Sequence, residues 1–313
     1  MNKIYVSLTG GLGNQLFQLS AAMSMVAKNG EIILLDMFGK PRSTNDRPDI
    51  CGFILAKNIK YREGLEAPKI LRKAIGFSLR MGINPRGWEN LKLLNSLCNW
   101  VISILVSIFF KERIQIVNGK DVGYSDIRRS KKTILLVGYF QSFLYGVNLK
   151  NNTEYLQLIE SGQAVDDVSR TDVDFSNRLI IHLRLTDYLY EEKFGIPNQN
   201  YYGNAIKQMF DLREFHEIWV FSDDIDMAKR TLKVPEKMKI SWMKCEHLKS
   251  YEILSMMRNG SGYIIANSTF SWWAAYLSRC DDPIVIAPNP WFKGMPSPSH
   301  LIPSSWTTVD AWN

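Results

Sequence analysis

The second half of the chain constrains the fold most. Five strand-length apolar runs, Leu179–Leu183, Ile218–Phe221, Ile240–Met243, Gly262–Ala266 and Pro283–Ala287, recur there with helical stretches between most of them. Strands that are apolar on consecutive residues are covered on both faces, and helical crossovers between them set neighbours parallel. The reading is a parallel, doubly wound α/β sheet beginning near Arg178. The start of the chain follows the same grammar. Lys3–Leu8 reads as a strand, Gly10–Gly13 as a tight loop, Leu16–Ala27 as an amphipathic helix closed by Asn29-Gly30, and Glu31–Asp36 as the next strand of a βαβ unit. From Met37 to Lys132 the pattern is helical and basic, before Thr133–Val137 returns as a strand. The polar run Ser161–Asn177 separates an N-terminal domain over 1–160 from a C-terminal domain over 178–313.

At 313 residues with 46% apolar and 22% charged side chains, the chain has enough apolar surface to offset the ordering of its backbone, which excludes a disordered tail protein. Its charge is divided: the net formal charge is +12 over Met1–Lys150 and −5 over Asn151–Asn313. A basic half fits nucleic acid, an acidic membrane leaflet or a phosphorylated carrier. No nucleic-acid motif and no basic stripe interleaved with aromatics is present, so nucleic acid is not expected. Cys51, Cys98, Cys245 and Cys280 form no CxxC pair, and His182, His216, His247 and His300 have no metal-ligand spacing. The chain opens on MNKIYVSLTGG without a leader pattern, which gives a cytoplasmic expectation. Trp100–Phe110 is strongly apolar but too short to span a bilayer, which needs about 20 residues. It reads as a buried core helix, with an element touching the membrane interface as the alternative, since Lys69, Arg72, Lys73, Lys111 and Arg113 lie around it.

Candidate site residues lie at strand exits, because open α/β sheets bind ligands outside the carboxyl ends of their strands. Gly10-Gly11-Leu12-Gly13-Asn14-Gln15 joins a strand to a helix, where bare backbone admits a ligand and helix N–H groups point at it. Position 16 is Leu where a dinucleotide fingerprint has its third glycine, so this is either an anion cradle or a tight packing turn. His182, Arg184 and Asp187 follow the strand at 179–183. Arg184 offers a planar fork to a phosphate or a structural ion pair to Asp187, and His182 reads as a satisfied core imidazole. Ser222 and Asp223 close the next strand, where a carboxylate accepts from a ribose or base. Asp224-Ile-Asp226 spells a two-carboxylate metal pattern, but Asp226 falls in a first helical turn where acids serve the helix dipole, and no metal is expected. Asn267, Ser268, Thr269 and Ser271 begin a helix, as caps or as an anion site, and Trp272 and Trp273 read as core.

Taken in order, GGLGNQLFQ, GYFQS, H-x-R-x-x-D-Y, FSDD and ANSTFSWWAAYLS resemble the α-1,2-fucosyltransferase family, family 11 of the glycosyltransferases, and extend from Gly10 to Ser278. The resemblance implies an α/β, GT-B-like architecture of two Rossmann-like domains facing across a cleft. It implies a GDP-sugar substrate held mainly by the second domain, no cofactor and no obligatory metal. On the resemblance, Arg184, Asn14 and Asp187 are expected to form the catalytic set, with Arg184 on the donor diphosphate. Gly11, Gly13, Gln15, His182, Ser222, Asp223, Asn267, Ser268, Thr269 and Ser271 are the expected donor-binding set. The chain departs from the family pattern at Leu185, where a second Arg is common, and at Thr186, where Gly is common. The implied reaction moves L-fucose, with inversion, from GDP-β-L-fucose to the 2-hydroxyl of a galactose-type acceptor in a surface polysaccharide such as an O-antigen. A GDP-colitose transferase and a non-catalytic nucleotide-sugar binding protein are the alternatives. An acceptor linked to a lipid diphosphate, met by peripheral contact with the inner membrane face, would account for the basic half. No residue is marked as the general base.

Overall fold

The structure, a computed structural model, describes residues 2–36, 47–53, 56–62, 68–83, 92–119, 122–124, 132–152, 177–190, 192–235 and 238–313. The chain divides into two compact units, Met1–Ser161 with Pro298–Leu301, and Gly162–Ser297 with Ile302–Asn313. Of the polar run Ser161–Asn177, all but Asn177 lies outside the described residues.

The first unit is a parallel sheet in the order β3-β2-β1-β5-β4, built from β1 (Lys3–Ser7), β2 (Glu31–Leu35), β3 (Ile59–Arg62), β4 (Ile114–Asn118) and β5 (Thr133–Val137). Helix α1 (Leu12–Met25) joins β1 to β2 and is buried along nearly its whole length. It starts four residues before the expected Leu16 and ends where Val26 turns extended, ahead of Asn29-Gly30. Gly13 and Asn14 therefore belong to its first turn. Helices α2 (Lys69–Ile83) and α3 (Lys92–Phe110) follow β3, and α4 (Phe143–Lys150) follows β5. Tyr5, Leu35, Leu71, Ile75, Ile102, Val106, Ile114, Ile116, Leu135 and Val137 form one core between the sheet and α2/α3.

Two findings correct the sequence reading of this half. Strands β3 and β4 lie inside the stretch that reads as helical: four or five residues with polar alternates, such as Ile114-Gln-Ile-Val-Asn, are masked by the apolar helices around them. Helix α3 is a core helix on one side only. Ile102 and Val106 are 4% and 0% exposed, whereas Trp100 and Ile108 are 64% and 69% exposed. Among the described residues no helix is long and apolar enough to cross a membrane.

The second unit is a parallel sheet in the order β11-β10-β9-β6-β7-β8. Its strands are β6 (Arg178–Leu183), β7 (Glu217–Ser222), β8 (Lys239–Trp242), β9 (Gly262–Ile264), β10 (Ile284–Asn289) and β11 (Thr307–Asp310). All six residues of central β6 are buried, as a strand covered on both faces requires. Helices α5 (Gln199–Leu212), α6 (Ile225–Thr231), α7 (Ser250–Met257) and α8 (Thr269–Tyr276) make the connections. Trp272 and Trp273 are fully buried, with Trp272 stacked on Tyr276 at 4.5 Å between ring centroids, so both belong to the core as expected. Strand β11 lacks an apolar run and is an edge strand of alternating exposure. Both units are Rossmann-like, the pair of domains that the GT-B class combines.

Candidate active site

Each sheet has one place where the strand order reverses. In the second unit the chain runs outward from β6 through β7 to β8, then returns to the other side of β6 with β9. Ligands of open α/β sheets bind outside the carboxyl ends at such a switch point. The exits of β6 and β9 carry Arg184–Asp187 and Ile265–Thr269, the two segments richest in candidate residues.

Arg184 is held by Asp223 at the exit of neighbouring β7, with Nε 3.4 Å from Oδ2. The same carboxylate accepts from the backbone N–H groups of Leu185 at 2.7 Å and Thr186 at 3.1 Å, and from the Thr186 hydroxyl at 2.6 Å. Asp223 thus fastens the turn after β6 and sets the direction of the guanidinium. Burial alone raises its carboxyl, but the bonds from Thr186 and Leu185 and the charge of Arg184 outweigh this and hold it below its ordinary range. Among the described residues, Arg184 thus pairs with Asp223; the pairing with Asp187 that the sequence offers rests on a side chain outside them. The backbone of Asp187 begins a 3-10 turn, Asp187–Tyr190, while its side chain lies outside the described residues. Leu185, in the place of the second Arg, is 1% exposed and packed in the core with Leu183, Tyr202 and Val220.

His182 is 5% exposed, and burial, reinforced by the Arg184 charge, pushes its imidazole down to about 3, so the ring is neutral. Its Nδ1 is buried without a hydrogen-bond partner. The expectation of a satisfied core imidazole is therefore half met: buried and neutral, but with one ring nitrogen unpaired.

Across the switch point, Asn267 is 1% exposed and its Nδ2 donates to the carbonyls of Phe194 at 3.0 Å and Gly195 at 3.1 Å, while its buried Oδ1 accepts nothing. The Tyr188 hydroxyl donates to the Asn267 carbonyl at 3.2 Å, which ties the turn after β6 to the exit of β9. Ser268 caps α8 by accepting from Phe270 N–H at 3.3 Å, and buried Ser271 donates back to the Ser268 carbonyl at 3.2 Å. Thr269 opens the helix, half-buried. The start of α8 and the Arg184 fork are thus the positive ends presented at this switch point. At β7, Ser222 exchanges hydrogen bonds with the backbone of Asp224, and Asp224 caps α6 through Met227 N–H at 2.8 Å. Asp226 sits in the first turn of α6 and pairs with Lys229 at 3.6 Å.

In the first unit the order reverses between β1 and β5, and their exits carry Gly10–Gln15 and Gly138–Ser142. Gly10 has φ +71, and a Cβ there would strike the Asn14 amide, so this glycine is required by the turn. Gly11 at the start of α1 offers no side-chain cap. Gln18 reaches across, accepting from Thr9 N–H at 3.1 Å and donating to the Gly138 carbonyl at 2.9 Å. Gln15 is used at both ends, donating to the Gly10 carbonyl at 2.9 Å and accepting from Ile50 N–H at 3.0 Å. Gln141 donates to Asn14 Oδ1 at 2.9 Å and leaves its own buried Oε1 unpartnered. Residues 298–301 brace this exit: the His300 carbonyl accepts from the Ser142 hydroxyl at 3.0 Å and from Phe143 N–H at 2.8 Å.

Gln141 lies within the GYFQS motif but is not among the residues the sequence marks as a site; its one signal there is a polar side chain at a strand exit beside a switch point. The tying roles of Tyr188 and Thr186 are not legible in the sequence, because their partners lie 79 and 37 residues away.

A family model described as Glycosyl transferase family 11 matches residues 93–295. The chain is 27% identical over 324 residues to the O-antigen biosynthesis glycosyltransferase WbnK of Escherichia coli, covering 98% of this chain and 100% of that protein. It is 24% identical over 309 residues to an alpha-1,2-colitosyltransferase of Escherichia coli, covering 94% of this chain and 93% of that protein. Among solved structures, the E. coli ADP-heptose lps heptosyltransferase II aligns with a TM-score of 0.49 at 7% identity, over 99% of this chain and 90% of that one.

Proposed function

The chain belongs to glycosyl transferase family 11, and on that premise we propose that it moves L-fucose from GDP-β-L-fucose to the 2-hydroxyl of a galactose-type sugar during O-antigen synthesis. The observation that carries the reading is the second switch point, where Arg184, directed by Asp223, and the capped start of α8 supply positive ends suited to a diphosphate. In one inverting step the acceptor hydroxyl oxygen attacks the anomeric carbon as its bond to GDP breaks, and the hydroxyl proton is released to solvent. Negative charge grows on the leaving diphosphate, so a fixed guanidinium and a helix N-terminus stabilise the transition state more than the ground state. Neutral His182 lines the same exit as a hydrogen-bonding group without charge. On this reading the donor needs no divalent ion and no cofactor is used. The first domain takes the acceptor side, with Asn14 set in place by Gln141.

Colitose, the deoxy relative of fucose, is the second reading, favoured by the colitosyltransferase relative and by the loss of a guanidinium at Leu185. A site built to hydrogen-bond a hydroxyl rejects the analogue lacking it by about 10⁴–10⁵. Measuring kcat/KM for GDP-fucose and GDP-colitose against a panel of galactosides therefore separates the two donors. GDP binding with no transfer from either donor would leave a non-catalytic binding protein. The acceptor is taken to be linked to a lipid diphosphate, reached by peripheral contact with the inner membrane face, which suits the +12 charge of the first 150 residues.

A further inference from the structure

The outward side of α2 and α3 carries a surface that belongs to neither strand-exit site. Leu97, Trp100, Val101, Ile104, Leu105 and Ile108 recur at spacings of three and four along α3 and are 36% to 69% exposed. They form a stripe about 16 Å long at 1.5 Å rise per residue. On α2, Ile70 and Phe77 are 71% and 44% exposed, with exposed Lys73 between them on the same face. The opposite faces, Leu71 and Ile75 on α2 and Ile102 and Val106 on α3, already fill the core. The domain therefore does not need the outer stripe for its own packing. A surface helix of a soluble domain places charges there, yet no charged residue occurs from Leu93 to Phe110. No element among the described residues covers the stripe.

Charge selects the occupant. Residues 68–83 and 92–113 hold seven Lys and Arg against one acid, Glu112. That acid is engaged by Lys3, Tyr5 and Thr133. Lys69 and Lys73 on α2 and Lys111 and Arg113 after α3 are all exposed. An apolar face with a cationic rim matches a bilayer interface whose headgroups are anionic. A second copy docked on the same patch would set one basic rim against another.

We propose that the α2/α3 face docks the first domain on an anionic lipid bilayer, with Trp100, Ile104 and Ile108 entering the acyl boundary and the flanking Lys and Arg meeting headgroup phosphates. The inference rests on the peripheral-contact reading above and names the surface responsible. It does not depend on which sugar is transferred.

Flotation of the purified full chain with phosphatidylcholine vesicles, with and without phosphatidylglycerol, tests it. The protein is expected to float with the anionic vesicles, and less at about 1 M salt, where the Debye length falls to about 3 Å. The combined Trp100→Ser, Ile104→Asp and Ile108→Asp variant should partition about tenfold less or weaker still, with thermal unfolding unchanged because these side chains are exposed. Lys73→Glu with Lys111→Glu should lose the preference for anionic over neutral vesicles. Wild-type protein remaining at the bottom with anionic vesicles, or the triple variant floating like wild type, overturns the proposal. So does a wild-type dimer in sedimentation that the triple variant splits, since the occupant would then be a second copy. Flotation uses neither donor nor acceptor, so its failure is distinct from a failure of the transfer reading.

Discussion

Replacing Arg184 with alanine removes the cation at the second switch point while leaving its support in place. Two charge-assisted hydrogen bonds to a departing diphosphate contribute about 1.5–3 kcal/mol each. The Arg184 side chain is 36% exposed, so the lower end of that range applies and the loss is about 3–4 kcal/mol, or about 10²–10³ in turnover. The fold should tolerate the change. Asp223 keeps its bonds from Leu185 N–H, Thr186 N–H and the Thr186 hydroxyl, so the stability cost is about 1 kcal/mol or less. The assay is GDP release from GDP-fucose under single-turnover conditions, with and without a galactoside, beside a urea unfolding curve. Expected is a turnover drop of the stated size with a nearly unchanged unfolding midpoint. A rate within about twofold of wild type would refute the placement of Arg184 on the diphosphate. A rate loss matched by unfolding would refute the claim that Asp223 holds the turn unaided.

Three further outcomes follow from the geometry. Because His182 has a folded value of about 3 against an unfolded value near 6.5, its contribution is fully present above about pH 6.5 and is lost as pH falls toward 3; it costs about 2 kcal/mol by pH 5, and His182→Gln should flatten that part of the stability-versus-pH curve measured by denaturant titration. Gly10→Ala forces a side chain into the left-handed region at about 1–2 kcal/mol and displaces Asn14 from Gln141; transfer should fall while GDP binding by the second domain is kept, as calorimetry would show. Ser268→Ala removes the cap of α8 at about 1 kcal/mol of stability and should weaken GDP binding, read from the unfolding midpoint and the Kd.

The strand-and-exit pattern was readable because its signals are local. Consecutive apolar runs mark β6, β7 and β10 to within two residues, and the polar residues after β6 fall at the switch point. The choice of partner was not local. Asp223 and Arg184 lie 39 residues apart, and only the pairing of β6 with β7, His182 beside Phe221 and Leu183 beside Ser222, brings their turns together. Sequence alone offers the nearer Asp187, whose side chain lies outside the described residues, and carries no sign of Asp223 as the partner. Burial of α3 was hidden for the opposite reason: a run without polar residues carries no mark of which face points inward, so Ile102 and Ile104 look alike although one is 4% and the other 41% exposed. The buried, unpaired Oε1 of Gln141 and Oδ1 of Asn267 depend on turns after two different strands, and residue type alone does not reveal them.

On the proposed reading the second domain holds a GDP-sugar without a metal ion. Calorimetry of the purified protein in EDTA, comparing GDP with UDP, CMP and ADP, addresses it most directly. Expected is binding of GDP in preference to the other three, weakened by Arg184→Ala. Preferential binding of UDP, or GDP binding only after a divalent ion is restored, would contradict it.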